Sequence, residues 1–229
     1  MVRIVRRGAA DLDLYTRLGV AGFGPWAGAG ELGRLLAAIG LRRPGPAADP
    51  HRELPGIAAV AADPVVAGAA RGVLGADLDI EASRLIVVPP GGADSPPRRN
   101  RRADLVEFDP RRTVTLWLAL TPATARTWCP HIAPGSHRGS GPAPGGAAAR
   151  GPARPTAVLD PAAPARWEPV PMAAGHGLLI DPRLVRRVPP NRGRAPAVAL
   201  AIRYTAPGGC TMRDGTAPAH LVPVPSPYQ

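Results

Sequence analysis

The most constraining feature of this sequence is the segment 113–137, TVTLWLALTPATARTWCPHIAPGSH. Its first eight residues alternate in a way that predicts a strand, because successive side chains point to opposite faces of a sheet. One face would carry Val114, Leu116, Leu118 and Leu120. Trp117 falls on the other face. Its side chain is too bulky to be left exposed there, so we expect both faces of the strand to be covered. The segment ends in residues 134–137, PGSH, a turn signal with a histidine at its exit.

Patterns on both sides of this segment predict helices first and short strands later. Residues 11–40 predict two helical pieces that stop at Gly40, residues 41–56 predict a loop, and Asp63-Pro64 predicts the start of another helix. After Asp79 the pattern becomes β. The candidate strands are residues 83–88, 113–120, 130–133, 157–159, 167–171, 177–180 and 197–205.

Short strands separated by turn-forming breaks favour a sandwich or jelly roll over alternating βα units. We expect one domain over residues 1–229, with a helical part over about 1–80, a β core over 81–206 and an irregular tail over 207–229. Two long breaks, residues 91–102 and 138–155, predict either pocket-covering loops or disordered segments.

The ordered set of motifs resembles the phytanoyl-CoA dioxygenase family. In that family a "tvWlAL" strand leads through a loop to a "PGSH" turn, as residues 113–137 do here. Residues 84–91, 177–184 and 199–204 resemble further family strands in the same order, so the resemblance covers roughly residues 10–206. It implies a mainly β fold, the double-stranded β-helix (jelly-roll or cupin-like) of the iron and 2-oxoglutarate oxygenases, with N-terminal helices packed on the sheet.

The resemblance also implies where the metal ligands of the family would lie. Such enzymes hold Fe(II) with two histidines and one carboxylate. The His-x-Asp pair corresponds to Arg102 and Asp104, and the second histidine corresponds to Arg186, five residues before Asn191. The arginine that binds 2-oxoglutarate corresponds to Ala197. Because a guanidinium stays protonated and has no lone pair for a metal, we expect no metal and no cofactor at these positions.

The histidines of the chain are weak candidates for a metal site elsewhere in the fold. A histidine at positions like theirs is more often a surface residue or a hydrogen-bonded structural residue than a metal ligand. The histidines are His51, His131, His137, His176 and His220. The resemblance instead suggests a set of substrate-binding residues: Trp117, His131, His137, Asn191 and Arg203.

Asp104, Arg102 and Arg186 are the catalytic candidates. An ion pair between Asp104 and Arg102 or Arg186 would fill the position of the metal and have only a structural role. Alternatively, a fixed cation would polarise a substrate carbonyl or stabilise an enolate, with Asp104 as the base.

Three functions remain open. The first is a redox-neutral enzyme of the cyclase, isomerase or dehydratase type, acting on a small, largely apolar intermediate of bacterial specialised metabolism. The second is a non-catalytic protein that binds a ligand or a partner, and the third is an Fe(II)/2-oxoglutarate hydroxylase with unconventional ligands. The replaced cofactor contacts favour the first two, and the retained Asp104, Trp117, His137 and Asn191 favour the enzyme.

The composition of the chain limits the classes of partner that we expect. All 28 basic residues are arginine and the formal net charge is +11, which together with abundant Ala, Gly and Pro is typical of a GC-rich genome. No nucleic-acid motif is present, so we expect no nucleic-acid partner. The arginine-rich residues 96–102 would bind an anionic substrate group or an acidic carrier protein bearing the substrate, or form a solvated loop. Without a long apolar run or signal-peptide pattern, we expect a cytoplasmic protein that contacts no membrane.

Overall fold

The fold is known from a computed structural model, which describes residues 10–40, 49–75, 77–92, 95–100, 106–138, 156–158, 166–212 and 214–225. Within these residues the chain forms two facing antiparallel sheets, and helices pack on the outer face of one of them. The expected mainly β, double-stranded β-helix with N-terminal helices on the sheet is therefore confirmed.

The described residues contain five α-helices, all in the N-terminal third. They are α1 (Leu12–Leu18), α2 (Ala29–Ile39), α3 (Pro50–Glu53), α4 (Pro55–Ala62) and α5 (Pro64–Leu74). Asp63 begins α5 as predicted and accepts from the backbone N–H of Val65 at 2.8 Å. Asp11, at the start of the predicted helical stretch, caps α1 in the same way and accepts from the N–H of Leu14 at 2.8 Å. Gly40 ends α2 as predicted.

The loop predicted over residues 41–56 is wrong for its described part. Residues 50–53 form α3 and residue 55 starts α4, while residues 41–48 lie outside the described residues. Proline is the cause of the error. Pro50 and Pro55 each occupy the first turn of a helix, where a missing N–H costs nothing, so the residues that suggested a loop in fact start helices.

The larger sheet has the order β1-β9-β5-β11-β2-β13 and the smaller sheet has the order β7-β3-β10-β6-β8. A short third ribbon pairs β4 with β12. The strands are β1 (Val20–Phe23), β2 (Asp79–Val88), β3 (Ser95–Asn100), β4 (Val106–Phe108), β5 (Thr113–Ala119), β6 (His131–Ile132), β7 (Thr156–Val158), β8 (Glu168–Pro169), β9 (Gly177–Ile180), β10 (Arg186–Val188), β11 (Ala197–Thr205), β12 (Cys210–Met212) and β13 (Val222–Pro223).

Strand β5 has the two faces that its sequence predicted. Leu116 and Leu118 pack into a core shared with the helices, whereas Trp117 packs into a second core between the two sheets. The outer core also receives Leu32 and Val66 from α2 and α5. The double coverage explains why β5 is buried along its whole length.

Several strands escaped the sequence analysis because long-range pairing, and not local pattern, creates them. β1 lies in a region predicted to be helical and has four residues, all paired with β9. β3 contains Pro96 and Pro97, which disfavour a central strand. It nevertheless pairs with β7 and β10, and its register with β10 shifts between the partners of Arg98 and Ser95, where the prolines lie.

The described part of the tail after residue 206 is irregular over most of its length, but it contains two short strands that the prediction did not include. β12 pairs with β4, and β13 returns to pair with β2 at the edge of the larger sheet. The backbone N–H of Val224 donates to Leu78 at 2.9 Å. Backbone pairing tolerates the prolines of this segment because it lies on a sheet edge, where a missing donor is acceptable.

No single helix of the described residues is long and apolar enough to cross a membrane; α4 and α5, bent by 49° at their junction, pass that test only as a pair.

Candidate functional site

Four arginines lie on the facing inner surfaces of the two sheets. Arg84 on β2 pairs in register with Ala201, and Arg203 lies two residues further along β11 on the same face. On the smaller sheet Arg98 of β3 pairs with Arg186 of β10, which in turn pairs with the inward-facing Ile132. We call Arg84, Arg98, Arg186 and Arg203 the arginine cluster.

The arginines of the cluster act on one another electrostatically. Burial, and then the charge of Arg84, lower the pKa of Arg98. Burial, followed by the charges of Arg98 and Arg203, lowers the pKa of Arg186 to about 9. That value still leaves Arg186 cationic at neutral pH. The two sheets therefore hold several positive charges close enough to lower the pKa of Arg98 and of Arg186.

Arg203 has a defined orientation inside the cluster. Its Nη1 donates to Glu81 Oε2 at 2.8 Å, and its guanidinium lies over the Phe108 ring, 5.3 Å from the centroid. A β-bulge between Arg203 and Tyr204 brings Glu81 to the inner face beside it. The buried Arg203 Nε finds no hydrogen-bond partner among the described residues.

An apolar wall lies next to the arginines. Trp117, 4% exposed, packs against Trp128 with ring centroids 5.0 Å apart. The positions that face inward on β11 near Trp117 are Ala199 and Ala201, which pair with Ala119 and Trp117. Small side chains beside a large aromatic pair leave this part of the inner surface apolar, so the site combines cations with a hydrophobic wall.

Two of the predicted substrate-binding histidines lie away from this inner surface. His137 is buried and its Nε2 lies 3.1 Å from the carbonyl oxygen of Thr16, so it packs against the end of α1. His131 lies on β6 next to the inward-facing Ile132, and strand alternation places it on the opposite, outer face. Their substrate-binding role stays a prediction.

Asn191, also predicted to bind substrate, uses its side chain to close the turn before β11. Its Nδ2 donates to the carbonyls of Val88 at 3.0 Å and Ala195 at 2.8 Å, and its Oδ1 accepts from the N–H of Gly193 at 2.8 Å. The buried side chain thus meets three backbone groups, which is a sufficient structural reason for an asparagine here.

Asn191→Ala is expected to lower the free energy of unfolding by about 3 kcal/mol, because three backbone groups lose their partners. Urea unfolding followed by circular dichroism measures the change. Arg192→Ala, at the exposed neighbouring position, serves as the control and should stay within about 0.5 kcal/mol of the wild type. An equal loss in both variants would show that Asn191 has no special part in the turn.

The proposed catalytic residues Arg102 and Asp104 lie outside the described residues, and so does the pairing expected between Asp104 and Arg102 or Arg186. Ala197, which the sequence resemblance assigns to the family's 2-oxoglutarate arginine, lies in the core between the sheets.

A family model described as phytanoyl-CoA dioxygenase (PhyH) matches residues 43–199. The chain belongs to the PhyH family. A search of curated proteins finds no match. Among solved structures, SnoK, a non-heme alpha ketoglutarate dependent carbocyclase from nogalamycin biosynthesis, is similar at 19% identity and a TM-score of 0.73, covering 91% of this chain and 87% of SnoK.

Two further structures have the same fold. The epimerase SnoN in complex with Fe3+, alpha ketoglutarate and nogalamycin RO is 19% identical, with a TM-score of 0.73, and the match covers 88% of this chain and 84% of SnoN. EctD from S. alaskensis with 2-oxoglutarate and 5-hydroxyectoine is also 19% identical, with a TM-score of 0.69, over 90% of this chain and 80% of EctD. Identities this low establish the fold.

Among the described residues of this PhyH-family chain, no two histidines and a carboxylate come together as potential metal ligands. The family resemblance assigns the second histidine to Arg186, whose protonated guanidinium cannot donate a lone pair. The arginines are instead suited to bind the oxygen atoms of an anion or a polarised carbonyl.

Sequence reasoning named Arg186 and Arg203, and it placed Arg98 in the segment 96–102, which was expected to bind an anionic group or form a solvated loop, but it missed Arg84 and Glu81. A signal for Arg84 was present, because it precedes the apolar run 85–88 of a predicted strand and alternation places it with Ile86. The strand that carries Arg98 was not predicted, because residues 91–102 were expected to be a loop or a disordered segment.

Proposed function

We propose that this PhyH-family protein is a metal-independent, redox-neutral catalyst of the cyclase, isomerase or dehydratase type. Its substrate would be a small, largely apolar intermediate of bacterial specialised metabolism. The observation that carries the proposal is the arginine cluster, which puts cations where the family resemblance implies an iron ligand. Oriented cations stabilise a developing enolate or alkoxide without redox chemistry.

Each group has a role in this proposal. Arg186, with Arg98 beside it, holds and polarises a carbonyl or carboxylate of the substrate, and Arg203 is held in place by Glu81. The apolar wall around Trp117 binds the carbon skeleton. Asp104 is the proposed base and Arg102 an additional cation. A substrate delivered on an acidic carrier protein would suit the arginine-rich segment 96–102.

The similar structures support ring formation or a stereochemical change as the class of reaction. SnoK is described as a carbocyclase and SnoN as an epimerase, both from nogalamycin biosynthesis. Both are described as alpha ketoglutarate dependent, so this chain would reach a related kind of outcome with fixed cations. The arginine cluster alone would equally serve a non-catalytic protein that binds an anionic ligand, which is the second candidate function.

Anaerobic titrations of the purified protein with Fe(II) and with 2-oxoglutarate, done separately and together, test the proposal. We expect no stoichiometric iron at the arginine cluster, and any affinity for 2-oxoglutarate should be the same with and without iron. Stoichiometric iron whose binding strengthens that of 2-oxoglutarate, and which Arg186→Met abolishes, would restore a hydroxylase and overturn the proposal. Turnover of a pathway intermediate by the metal-free protein would separate a catalyst from a binding protein.

A further inference from the structure

We infer that Glu81, Cys210 and His220 form a binding site for one divalent metal ion of the zinc class, which adjoins the arginine cluster at Arg203 but takes none of its ligands from it. Within the described residues, one ligand atom from each side chain lies within 4.8 Å of the other two. Glu81 belongs to β2, Cys210 to β12, and His220 to the segment that leads into β13. We call these three residues the tail site, because two of them come from the C-terminal tail.

The distances inside the tail site suit a shared ion better than direct contacts. His220 Nε2 lies 3.9 Å from Glu81 Oε1, which is too long for a hydrogen bond. Zinc binds imidazole nitrogen and carboxylate oxygen at about 2.0–2.2 Å, so an ion between these two atoms would reach both. A thiolate, an imidazole and a carboxylate together favour zinc over magnesium or calcium, which prefer oxygen ligands only.

Neighbouring arginines hold two of the ligands in position. Arg203 bonds to Glu81 Oε2 at 2.8 Å and leaves Oε1 on the side of His220. Arg52 Nη2 donates to the carbonyl oxygen of His220 at 2.5 Å and so fixes its backbone. Contacts of this kind orient metal ligands and strengthen binding. The His220 side chain is 32% exposed, which gives an ion access and leaves room for a water ligand.

A buried histidine lies beside the tail site. His51 is only 5% exposed, and its Nδ1 lies 2.7 Å from Ser83 Oγ. Its Nε2 is buried and has no hydrogen-bond partner among the described residues. Ser83 is two residues from Glu81 on β2, and Arg52, which follows His51 in the chain, bonds to the backbone of His220, so His51 lies beside the tail site.

Metal binding would join the tail to the larger sheet. The Cys210 thiol would release its proton to solvent and bind as thiolate, as metal ligation by cysteine requires. The ion would then add a second connection between the tail and β2, beside the β13 pairing; Val224 also bonds to Leu78, just before β2. The role of this ion is to stabilise the tail, and it takes no part in the reaction proposed above.

Zinc titration of the untagged full-length protein tests the inference, with magnesium as the control ion. We expect one equivalent of zinc, no magnesium, and a rise in Tm of about 5–10 °C at a zinc concentration of about 100 times Kd. Cobalt added in place of zinc should give a thiolate-to-metal charge-transfer band in the near ultraviolet. A protein that binds no zinc, or binds it without that band for cobalt, would overturn the inference.

Paired variants locate the ion. His220→Ala, at a partly exposed position, should fold and lose the stoichiometric zinc, and Cys210→Ser should lose the cobalt band. His176→Ala and Cys129→Ser change the same residue types elsewhere and should keep both signals. Zinc retained by a folded His220→Ala variant would contradict the site. Arg186→Met should keep the zinc, so this inference and the proposed function can fail separately.

Discussion

Gly175→Ala is expected to lower the free energy of unfolding by about 4 kcal/mol, a large part of the stability of an ordinary domain. Gly175 has a φ of +81°, a region that costs a residue with a side chain about 1–2 kcal/mol. An added Cβ would lie 2.3 Å from the carbonyl oxygen of Ala27, which is backbone and cannot rotate away. The chain would have to shift, and the shift would weaken the bonds of Gly175 to Ala119 and Trp26 at 2.9 and 2.8 Å.

Gly215→Ala is the matched control for this prediction. Gly215 has nearly the same backbone conformation, with a φ of +84°, but an added Cβ would meet nothing within 4 Å. We therefore expect only the conformational cost, about 1 kcal/mol. Urea unfolding of both variants measures the difference. Equal destabilisation would mean that the close approach of residues 27 and 175 contributes nothing.

Arg186→Met is expected to weaken the binding of small carboxylates by about 100-fold. Methionine keeps much of the length and apolar volume of the side chain but removes the charge and the donors, and a charge-assisted hydrogen bond contributes about 1.5–3 kcal/mol. Calorimetric titration with a series of monocarboxylates and dicarboxylates, 2-oxoglutarate among them, in metal-free buffer measures the affinities. Turnover of the natural substrate, once identified, should fall by a similar factor.

Arg187→Met is the control, because the neighbouring arginine carries the same charge on the opposite face of β10. Its guanidinium stacks on Trp167, 4.8 Å from the ring centroid, and its strand partner is His131. This variant removes one positive charge from the protein without changing the inner surface, so affinity should stay within about threefold, less than 1 kcal/mol. A similar loss in both variants would point to a general effect of net charge and would contradict a site at Arg186.

The sequence by itself determined the features that depend on neighbours within one or two helical turns or along one strand. Asp63 and Pro64 start α5 because a cap acts on the next two or three backbone N–H groups. The alternation in β5 placed Leu116 and Trp117 on opposite faces because side chains alternate along any strand. The ordered motifs also indicated the family. A strand motif followed by a turn motif can be recognised in the sequence without tertiary information.

The tertiary structure alone decided which distant residues meet. Arg84, Arg98, Arg186 and Arg203 come from four strands, and their proximity depends on the register of those strands and on the packing of two sheets. The tail site likewise needs β13 to return to β2, which the proline-rich tail did not predict. Pairing between segments more than a hundred residues apart is chosen by the burial of whole faces and by backbone hydrogen bonds. Alternation along one strand shows that a face will be buried, but it does not identify the distant strand that pairs with it.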